Sequence, residues 1–218
     1  HDEARGEDPA ALDDLLAEVG LPVCGMNVRM EGKPGCSAIP GQEDQFRKDI
    51  DEAAGIAGRI DAGAIHVLAG VAEGAEARAT YIRNLTVALE ATDRMILIEP
   101  LSSVAMPGYF LRTVEQASEI IAEIGNPRLK IMFDCFHVGM EDGPSEVADL
   151  FRKHAGIIGH VQIASIPDRV EPLSGNLLYP NLLPAFQAAG YQGAFGCEYI
   201  PAGGDDDAGL ARLRHSLL

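Results

Sequence analysis

Four polar residues each end a short apolar stretch of this chain, and their types and spacing could form a metal site. They are Glu99, Asp134, Gln162 and Glu198. The separations along the chain are 35, 28 and 36 residues, about the length of a strand, a helix and two loops. Three carboxyl groups and an amide at one end of a parallel barrel would present the oxygen atoms that hard divalent cations prefer. The pattern predicts a metal-dependent enzyme.

The alternative for any one of these residues is a structural ion pair. Burying an unpaired carboxylate costs free energy, so a residue such as Glu99 or Glu198 needs a metal ion, a cationic side chain or a proton. For one isolated glutamate, a neighbouring Lys or Arg is the simpler partner. Four such residues at the spacing of strand–helix units favour a shared metal ion.

Two histidines near strand ends are candidates for substrate binding. His66 lies among apolar residues at the end of a strand-like segment, and His137 follows Asp134 by three residues, on the loop that we expect beyond that strand. A single histidine on a strand is more often a core residue, but two at strand ends favour contact with a substrate. His160 lies two residues before Gln162, so both side chains should point to the same face of the strand. The role of His160 stays open.

Arg169 is a third candidate for substrate binding, on the loop that follows the Gln162 strand. Its guanidinium fork can hold a substrate carboxylate or hydroxyl groups. The alternative is a surface arginine paired with Asp168 or Glu171, and position alone favours neither interpretation.

Strand-like and helix-like segments alternate along the chain, which predicts an α/β fold. The strands are nearly continuous apolar runs, a pattern typical of parallel strands covered on both sides. No GxGxxG or P-loop motif follows a strand, whereas polar residues recur at strand C-terminal ends, where barrel active sites form. We predict strands at 23–28, 64–70, 95–99, 129–134, 160–164 and 195–199, and helices at 10–19, 46–60, 76–91, 113–124, 145–153, 181–189 and 208–218.

The predicted strands number six, whereas a (β/α)8 TIM barrel has eight. We therefore expect a single barrel domain over residues 1–218 in which about six of the eight strand units are present. The chain lacks an initiator Met, and we expect that two strands and one helix are missing at its N-terminus. A full-length reading frame beginning at His1 would contradict this expectation.

Composition narrows the partners and the compartment. The 33 acidic and 17 basic residues give a net charge of −16, which argues against binding to nucleic acid. No apolar run approaches the roughly 20 residues of a membrane span. The N-terminus is polar and acidic rather than a secretory signal, and no two cysteines form a CxxC pair, so we expect reduced thiols in the cytoplasm. The oligomeric state stays open, with a homo-oligomer as one option.

Several short segments around the candidate residues match motifs of one known family. They are Ile98-Glu-Pro-Leu-Ser-Ser103, Met106-Pro-Gly-Tyr-Phe110, Phe133-Asp-Cys-Phe-His137, Gly159-His-Val-Gln-Ile-Ala164, Gly196-Cys-Glu-Tyr199, Ile39-Pro-Gly41 and His66-Val-Leu-Ala-Gly70. As a set they resemble the hydroxypyruvate isomerase family of xylose isomerase-like TIM barrels, although each alone is weak. The similarity extends from about Val23 to Tyr199. Members of that family have about two more strand units at the N-terminus.

The resemblance implies a division of roles among the four strand-end residues. All four would hold a divalent cation, Mg²⁺ or Mn²⁺ by expectation, and Glu99 and Glu198 would also exchange protons as acid and base. The implied reaction is aldose–ketose isomerisation of a small hydroxycarbonyl compound through an enediol, as part of carbohydrate metabolism. The chemistry is consistent, because a metal ion polarises the substrate oxygens while two carboxylates move a proton between adjacent carbons.

Departures from the family pattern at Gly139, Val170 and Asn176 leave the substrate open. A small sugar or sugar acid, such as hydroxypyruvate or a 2-oxo-tetronate, is the first expectation. A ketose 3-epimerase, a polyol dehydratase and a non-catalytic sugar-binding barrel are the alternatives. An AP endonuclease of these barrels would need a basic face and many more histidines than the six in this chain.

Overall fold

A computed structural model describes residues 8–204 and 206–217 of the chain. Six strands and eight α-helices alternate in the described residues, so the predicted number of strands is confirmed. The strands are β1 (Met26–Asn27), β2 (Ala64–His66), β3 (Met95–Ile98), β4 (Leu129–Asp134), β5 (Ile158–Ile163) and β6 (Phe195–Cys197). The helices are α1 (Pro9–Val19), α2 (Glu43–Arg59), α3 (Gly74–Ala91), α4 (Val114–Ile124), α5 (Cys135–Glu141), α6 (Val147–His154), α7 (Tyr179–Ala188) and α8 (Asp206–Leu217).

The described residues fall into two compact units. Unit 1 contains residues 8–99, 107–111 and 119–130, and unit 2 contains residues 100–106, 112–118, 131–204 and 206–217. The expectation of one domain over residues 1–218 stays a prediction. The predicted final helix is present as α8, and its last predicted residue, Leu218, lies outside the described part of the chain.

Unit 1 is built on three parallel strands in the order β1–β2–β3. The register aligns Met26 with Ile65, and Ile65 in turn with Ile96. Helix α2 begins with acidic residues in its first turn and ends with Arg59, an arrangement that complements the helix dipole. The apolar face of α2, which includes Phe46, is buried, as is most of the strand surface.

Strand β2 is shorter than the predicted segment 64–70, although the residues after His66 are just as buried. Loops take over the hydrogen bonding there. The backbone oxygen of Leu68 accepts from the Ser37 hydroxyl at 2.6 Å, and the Ala69 amide donates to the Tyr109 hydroxyl at 2.8 Å. An apolar run therefore marks burial at this position rather than continued strand pairing, since backbone groups can also be satisfied by side chains.

Unit 2 carries the parallel strands β4, β5 and β6 in that order, with β4 contributing from residue 131 onward. Its core is aromatic. The rings of Phe151 and Phe186 stack at 3.9 Å, and the ring of Phe133 meets that of Phe151 edge-on at 5.4 Å. Such pairs add to the free energy gained from burial alone. Phe133 directly precedes Asp134 on β4, so the cluster helps to fix the strand that carries this candidate residue.

The sequence led us to expect no membrane span and reduced cysteines. No helix in residues 8–204 and 206–217 is long and apolar enough to cross a membrane. The four cysteines are free thiols. The cytoplasmic location itself stays a prediction.

Candidate active site

In unit 1, the structure brings together two candidate residues, Glu99 and His66. Glu99 directly follows β3 and its side chain is only 8% exposed, while His66 ends β2 and its side chain is 4% exposed. Glu99 Oε2 lies 3.6 Å from His66 Nε2. The parallel register of β2 and β3 explains the proximity, because the carboxyl ends of neighbouring parallel strands lie at the same edge of a sheet.

Asn27 orients the His66 ring and was not among the predicted residues. Its Oδ1 lies 3.0 Å from His66 Nδ1, and its amide nitrogen donates to Met30 Sδ at 3.3 Å. Because Oδ1 can only accept, His66 Nδ1 carries the hydrogen and Nε2 is the nitrogen that faces Glu99. The available signal in the sequence was an asparagine inside the apolar segment 23–28.

In unit 2, Asp134 ends β4 and is the most deeply buried carboxyl group of the candidate set, at 1% exposure. Its Oδ1 accepts a hydrogen bond from the Phe136 amide at 2.8 Å and so caps the N-terminus of α5. The segment after Asp134 was expected to be a loop, and this prediction was wrong. His137 lies in the first turn of α5, because the aspartate side chain starts a helix directly at the strand end.

The His137 ring is held by a backbone amide. The Ser102 N–H donates to His137 Nδ1 at 3.3 Å, which places the imidazole hydrogen on Nε2 when the ring is neutral. His137 Nε2 lies 3.8 Å from Asp134 Oδ2. The nitrogen nearest Asp134 is therefore a donor rather than a metal ligand in this tautomer, and its chemistry suits a hydrogen bond to an anionic or carbonyl oxygen.

The positions of Gln162 and Glu198 follow from the register of β4, β5 and β6. Gln162 on β5 is aligned with Asp134 on β4 and with Gly196 on β6. Its side-chain oxygen, Oε1, is buried and has no hydrogen-bond partner among the described residues. The Glu198 amide donates to the Ile163 carbonyl at 3.2 Å, so this glutamate extends the pairing of β6 with β5. A bare buried amide oxygen costs free energy and points to a ligand.

His160 lies on the same face of β5 as Gln162, as its two-residue spacing predicts. A side chain at Gly196 would come within 2.9 Å of His160 Nε2 and 3.5 Å of Gln162 Cγ. Burial lowers the pKa of His160. Its ring thus fills the space that the glycine on β6 leaves.

Arg169 contacts two of the predicted ligands. Its Nη2 lies 3.3 Å from Asp134 Oδ2 and 3.0 Å from Glu198 Oε1. The guanidinium also lies over the Phe136 ring, 4.9 Å from its centre. Pairing with Asp168 or Glu171 was the alternative, and the Arg169 ion pairs instead reach the strand ends. The backbone of Arg169 adopts a φ of +52°, a left-handed conformation that is uncommon outside glycine.

Two carboxylates, those of Asp134 and Glu198, lie close to the single guanidinium of Arg169, and their pKa values reflect this. Burial, followed by the charge of Glu198, raises the pKa of Asp134 to about 7, while Arg169 and the backbone amides of α5 act in the opposite direction. Desolvation also raises the pKa of Glu198, with Arg169 opposing the shift, although the Glu198 side chain is 49% exposed. Both groups therefore bind protons more readily than ordinary carboxyl groups do.

The oxygen donors of unit 2 fit a hard divalent cation. Asp134 and Glu198 supply carboxylate oxygens, and Gln162 supplies the unsatisfied amide oxygen. Calcium, magnesium and manganese sites are built from such oxygen atoms, and cancelling the repulsion between two carboxylates favours a cation there. The set of donors is therefore compatible with the metal expected from the sequence.

The departures from the family pattern include one with a clear packing reason. A side chain at Gly139 would meet Ile166 Cδ1 at 2.2 Å. Ile166, buried at 3% exposure, fills that space with an apolar group. The surroundings of α5 are accordingly apolar at this position.

Comparison with known proteins agrees with this architecture. The family described as xylose isomerase-like TIM barrel matches residues 1–216. The chain is 41% identical to a 2-oxo-tetronate isomerase of Cupriavidus necator over 84% of its own length and 72% of that protein. It is 35% identical to a human putative hydroxypyruvate isomerase over 95% of its length and 80% of that protein.

A solved structure from Brucella melitensis, described as AP endonuclease, family 2, superimposes with a TM-score of 0.89 at 32% identity. The match covers 96% of this chain and 84% of the Brucella chain. The expected fold is thus confirmed, and the names of the curated relatives indicate an isomerase. The chain belongs to the xylose isomerase-like TIM barrel family, and the two curated relatives described above are named as 2-oxo-tetronate isomerase and putative hydroxypyruvate isomerase.

Proposed function

We propose that this protein is a metal-dependent aldose–ketose isomerase that acts on a small hydroxycarbonyl acid or sugar, of the hydroxypyruvate or 2-oxo-tetronate type. The observation that carries the proposal is the row of donors on β4, β5 and β6. Asp134, Gln162 and Glu198 end or continue adjacent strands, and the Gln162 oxygen is buried without a partner among the described residues. The names of the curated relatives support the substrate class.

The proposed metal ligands are the four strand-end residues of the sequence prediction. Glu99 would join Asp134, Gln162 and Glu198 around a Mg²⁺ or Mn²⁺ ion. When bound, the ion supplies Lewis-acid polarisation of the substrate's carbonyl and hydroxyl oxygens. The unsatisfied amide oxygen of Gln162 and the raised pKa of Asp134, which burial and the charge of Glu198 cause, support this assignment.

Glu99 and Glu198 are the proposed acid and base. One carboxylate removes the proton from the hydroxyl-bearing carbon while the carbonyl oxygen gains a proton, which gives an enediol. The other carboxylate then gives a proton to the former carbonyl carbon, while the original hydroxyl group loses its proton and becomes the new carbonyl. The raised pKa of Glu198 supports its role, because a catalytic group works best with a pKa near the working pH. Glu198 is also half exposed, so a substrate can reach it.

His66, His137 and Arg169 are the proposed substrate contacts. Arg169 uses Nη2 for both of its carboxylate contacts, and its other N–H groups lie on Nε and Nη1, in the fork that suits a substrate carboxylate. The Nε2–H of His137 would donate to a substrate oxygen. The buried position of His66 beside Glu99 suits a contact with the reacting hydroxyl.

The test is proton NMR of hydroxypyruvate, 2-oxo-tetronates and related three- to six-carbon hydroxycarbonyl compounds incubated with the protein in D₂O. We expect the carbonyl to move to the neighbouring carbon and deuterium to be incorporated at the former carbonyl carbon, because the proton removed on the way to the enediol exchanges with solvent. EDTA should abolish this turnover, and Mg²⁺ or Mn²⁺ should restore it.

Each other outcome identifies an alternative. Deuterium at a carbon whose carbonyl neighbour stays in place would indicate an epimerase, and loss of water would indicate a dehydratase. Binding without deuterium exchange would indicate a sugar-binding protein. Turnover that survives complete removal of metal would contradict the metal site. Cleavage of DNA at abasic sites would favour the description of the Brucella structure, against the charge of −16.

A further inference from the structure

The loop that follows β5 is tightly held and carries Arg169. Ser165 anchors it twice, since its amide donates to the Val170 oxygen at 3.0 Å and its hydroxyl accepts from the Val170 amide at 3.0 Å. The Arg169 amide donates to the Ser165 oxygen at 3.1 Å. These bonds fix the turn in which Arg169 takes its left-handed backbone conformation. The direction of the Arg169 guanidinium thus depends on the position of this turn.

Glu171 ties this turn to the segment that begins at Glu198. The Glu171 carboxylate is only 5% exposed, and its Oε2 accepts from the Ala202 amide at 3.2 Å. Two residues earlier on each side, the Ile200 amide donates to the Arg169 oxygen at 2.8 Å. The two hydrogen bonds join the chain after Arg169 to the chain after Glu198.

Helix α8 completes the arrangement. Arg212 of α8 donates to Glu171 Oε1. Gly209 lets the helix come close, because a Cβ at that position would lie 2.8 Å from the Tyr199 hydroxyl and 3.2 Å from Glu171 Oε1. The pKa of Glu171 is lowered by its own backbone amide first and by Arg212 next, so the carboxylate stays ionised near neutral pH. Without Arg212, the Glu171 carboxylate would lose this charge-assisted hydrogen bond.

We propose that Glu171 and Arg212 are positioning residues that lock the Arg169 turn to the segment after Glu198 and so set the separation of Arg169 from Glu198. The catalytic consequence rests on the proposed function, in which Glu198 moves a proton and Arg169 holds the substrate. Neither Glu171 nor Arg212 touches the substrate. Helix α8 therefore helps to hold Arg169 at a fixed separation from Glu198, although in this proposal none of its side chains takes part in the reaction.

The test compares Glu171→Gln, Glu171→Ala, Arg212→Ala and Arg212→Lys with the native protein. Arg212→Ala and Glu171→Ala should lower kcat/KM about 10–100-fold, mostly by raising KM, because misplacing Arg169 weakens its hold on the substrate. Arg212→Lys keeps the charge and should recover most of the loss. The double variant Glu171→Ala/Arg212→Ala should be no worse than the poorer single variant, since both act through one contact. Lys153→Ala, which breaks an exposed pair with Glu115, is the matched control.

Amide hydrogen exchange at Ile200 and Ala202 provides a readout that does not require activity. Both amides should lose protection in Arg212→Ala and Glu171→Ala, while amides of β4 and β5 keep theirs. If the native protein shows no isomerisation, the proposed function fails and this exchange pattern still tests the lock.

Unchanged exchange in both alanine variants would overturn the lock. Lost protection with native kcat and KM would overturn the positioning role and leave a purely structural contact. If Glu171→Ala does not fold, Arg212→Ala and Arg212→Lys are compared instead. Their amide exchange at Ile200 and Ala202 tests the lock, and their kcat and KM test the positioning role.

Discussion

Glu99 and Glu198 occupy equivalent places at the ends of two strands, yet their surroundings differ. Glu99, in unit 1, is 8% exposed and faces a histidine ring at 3.6 Å. Glu198, in unit 2, is 49% exposed and pairs with an arginine at 3.0 Å. A histidine is cationic only when protonated, whereas an arginine always is. Glu99 therefore faces a side chain whose positive charge depends on pH, whereas Glu198 faces one that is always positively charged.

The rings and side chains around the two glutamates are also oriented in different ways. His66 in unit 1 is oriented by the side chain of Asn27, and His137 in unit 2 by the backbone amide of Ser102. A substitution can remove the first contact but not the second. At its strand ends, unit 2 additionally brings two carboxylates, those of Asp134 and Glu198, to one arginine, Arg169.

The largest expected effect tests whether the two glutamates share the chemistry. Glu99→Gln and Glu198→Gln should each lower kcat by about 10²–10⁴-fold, because each removes a proton-transfer group while keeping its shape. Because Glu198 is half exposed, Glu198→Gln should still fold, so that a lower rate is not a loss of structure. Steady-state rates and urea unfolding provide the measurements. Retained turnover in either variant would remove that residue from the acid–base role.

The next effect tests the crowding of carboxylates in unit 2. The pKa of Asp134 is raised from 3.8 to about 7, so between these values the folded state holds more protons than the unfolded state. Stability of the metal-free protein should therefore fall as pH rises through that window. Asp134→Asn removes this loss, and its stability relative to the native protein should rise by on the order of 3 kcal/mol from pH 4 to pH 7.

Urea unfolding in EDTA at several pH values measures this difference. Asp149→Asn, which removes an exposed carboxylate on α6, is the control. A difference between native protein and Asp134→Asn that does not change with pH would mean that Asp134 is not held in the environment described.

The smallest effect tests the side-chain orientation of His66 in unit 1. Asn27→Ala should lower kcat/KM by about tenfold, because groups that orient an active-site histidine typically contribute 10–100-fold. Asn27→Asp keeps the acceptor for His66 Nδ1 and should stay closer to the native rate. In unit 2, Ser102→Ala should leave His137 oriented, since the contact uses the backbone. ¹⁵N NMR of the histidine side chains reports the tautomers, and an unchanged His66 signal in Asn27→Ala would contradict the role of Asn27.

Much of the fold could be predicted because its signals are local. Alternating apolar runs and amphipathic segments gave six strands, and the bounds of β4 agree with the predicted 129–134. The helix after Asp134 was missed because its start depends on a side chain of the preceding strand accepting from the Phe136 amide. Segment 64–70 was overextended because burial under a loop and burial in a strand give the same apolar run.

Residue type, hydrophobic period and spacing were enough to predict the family, the strand–helix order and which polar residues stand at the strand ends, since these signals lie along the chain. The partner of each of these residues depends on the tertiary structure. Arg169 turns to Asp134 and Glu198 rather than to Glu171, and Glu171 is taken by Arg212 some 41 residues away. Such pairings depend on loop conformation and burial, which set the electrostatic environment of a charge and are not encoded in any short stretch of residues.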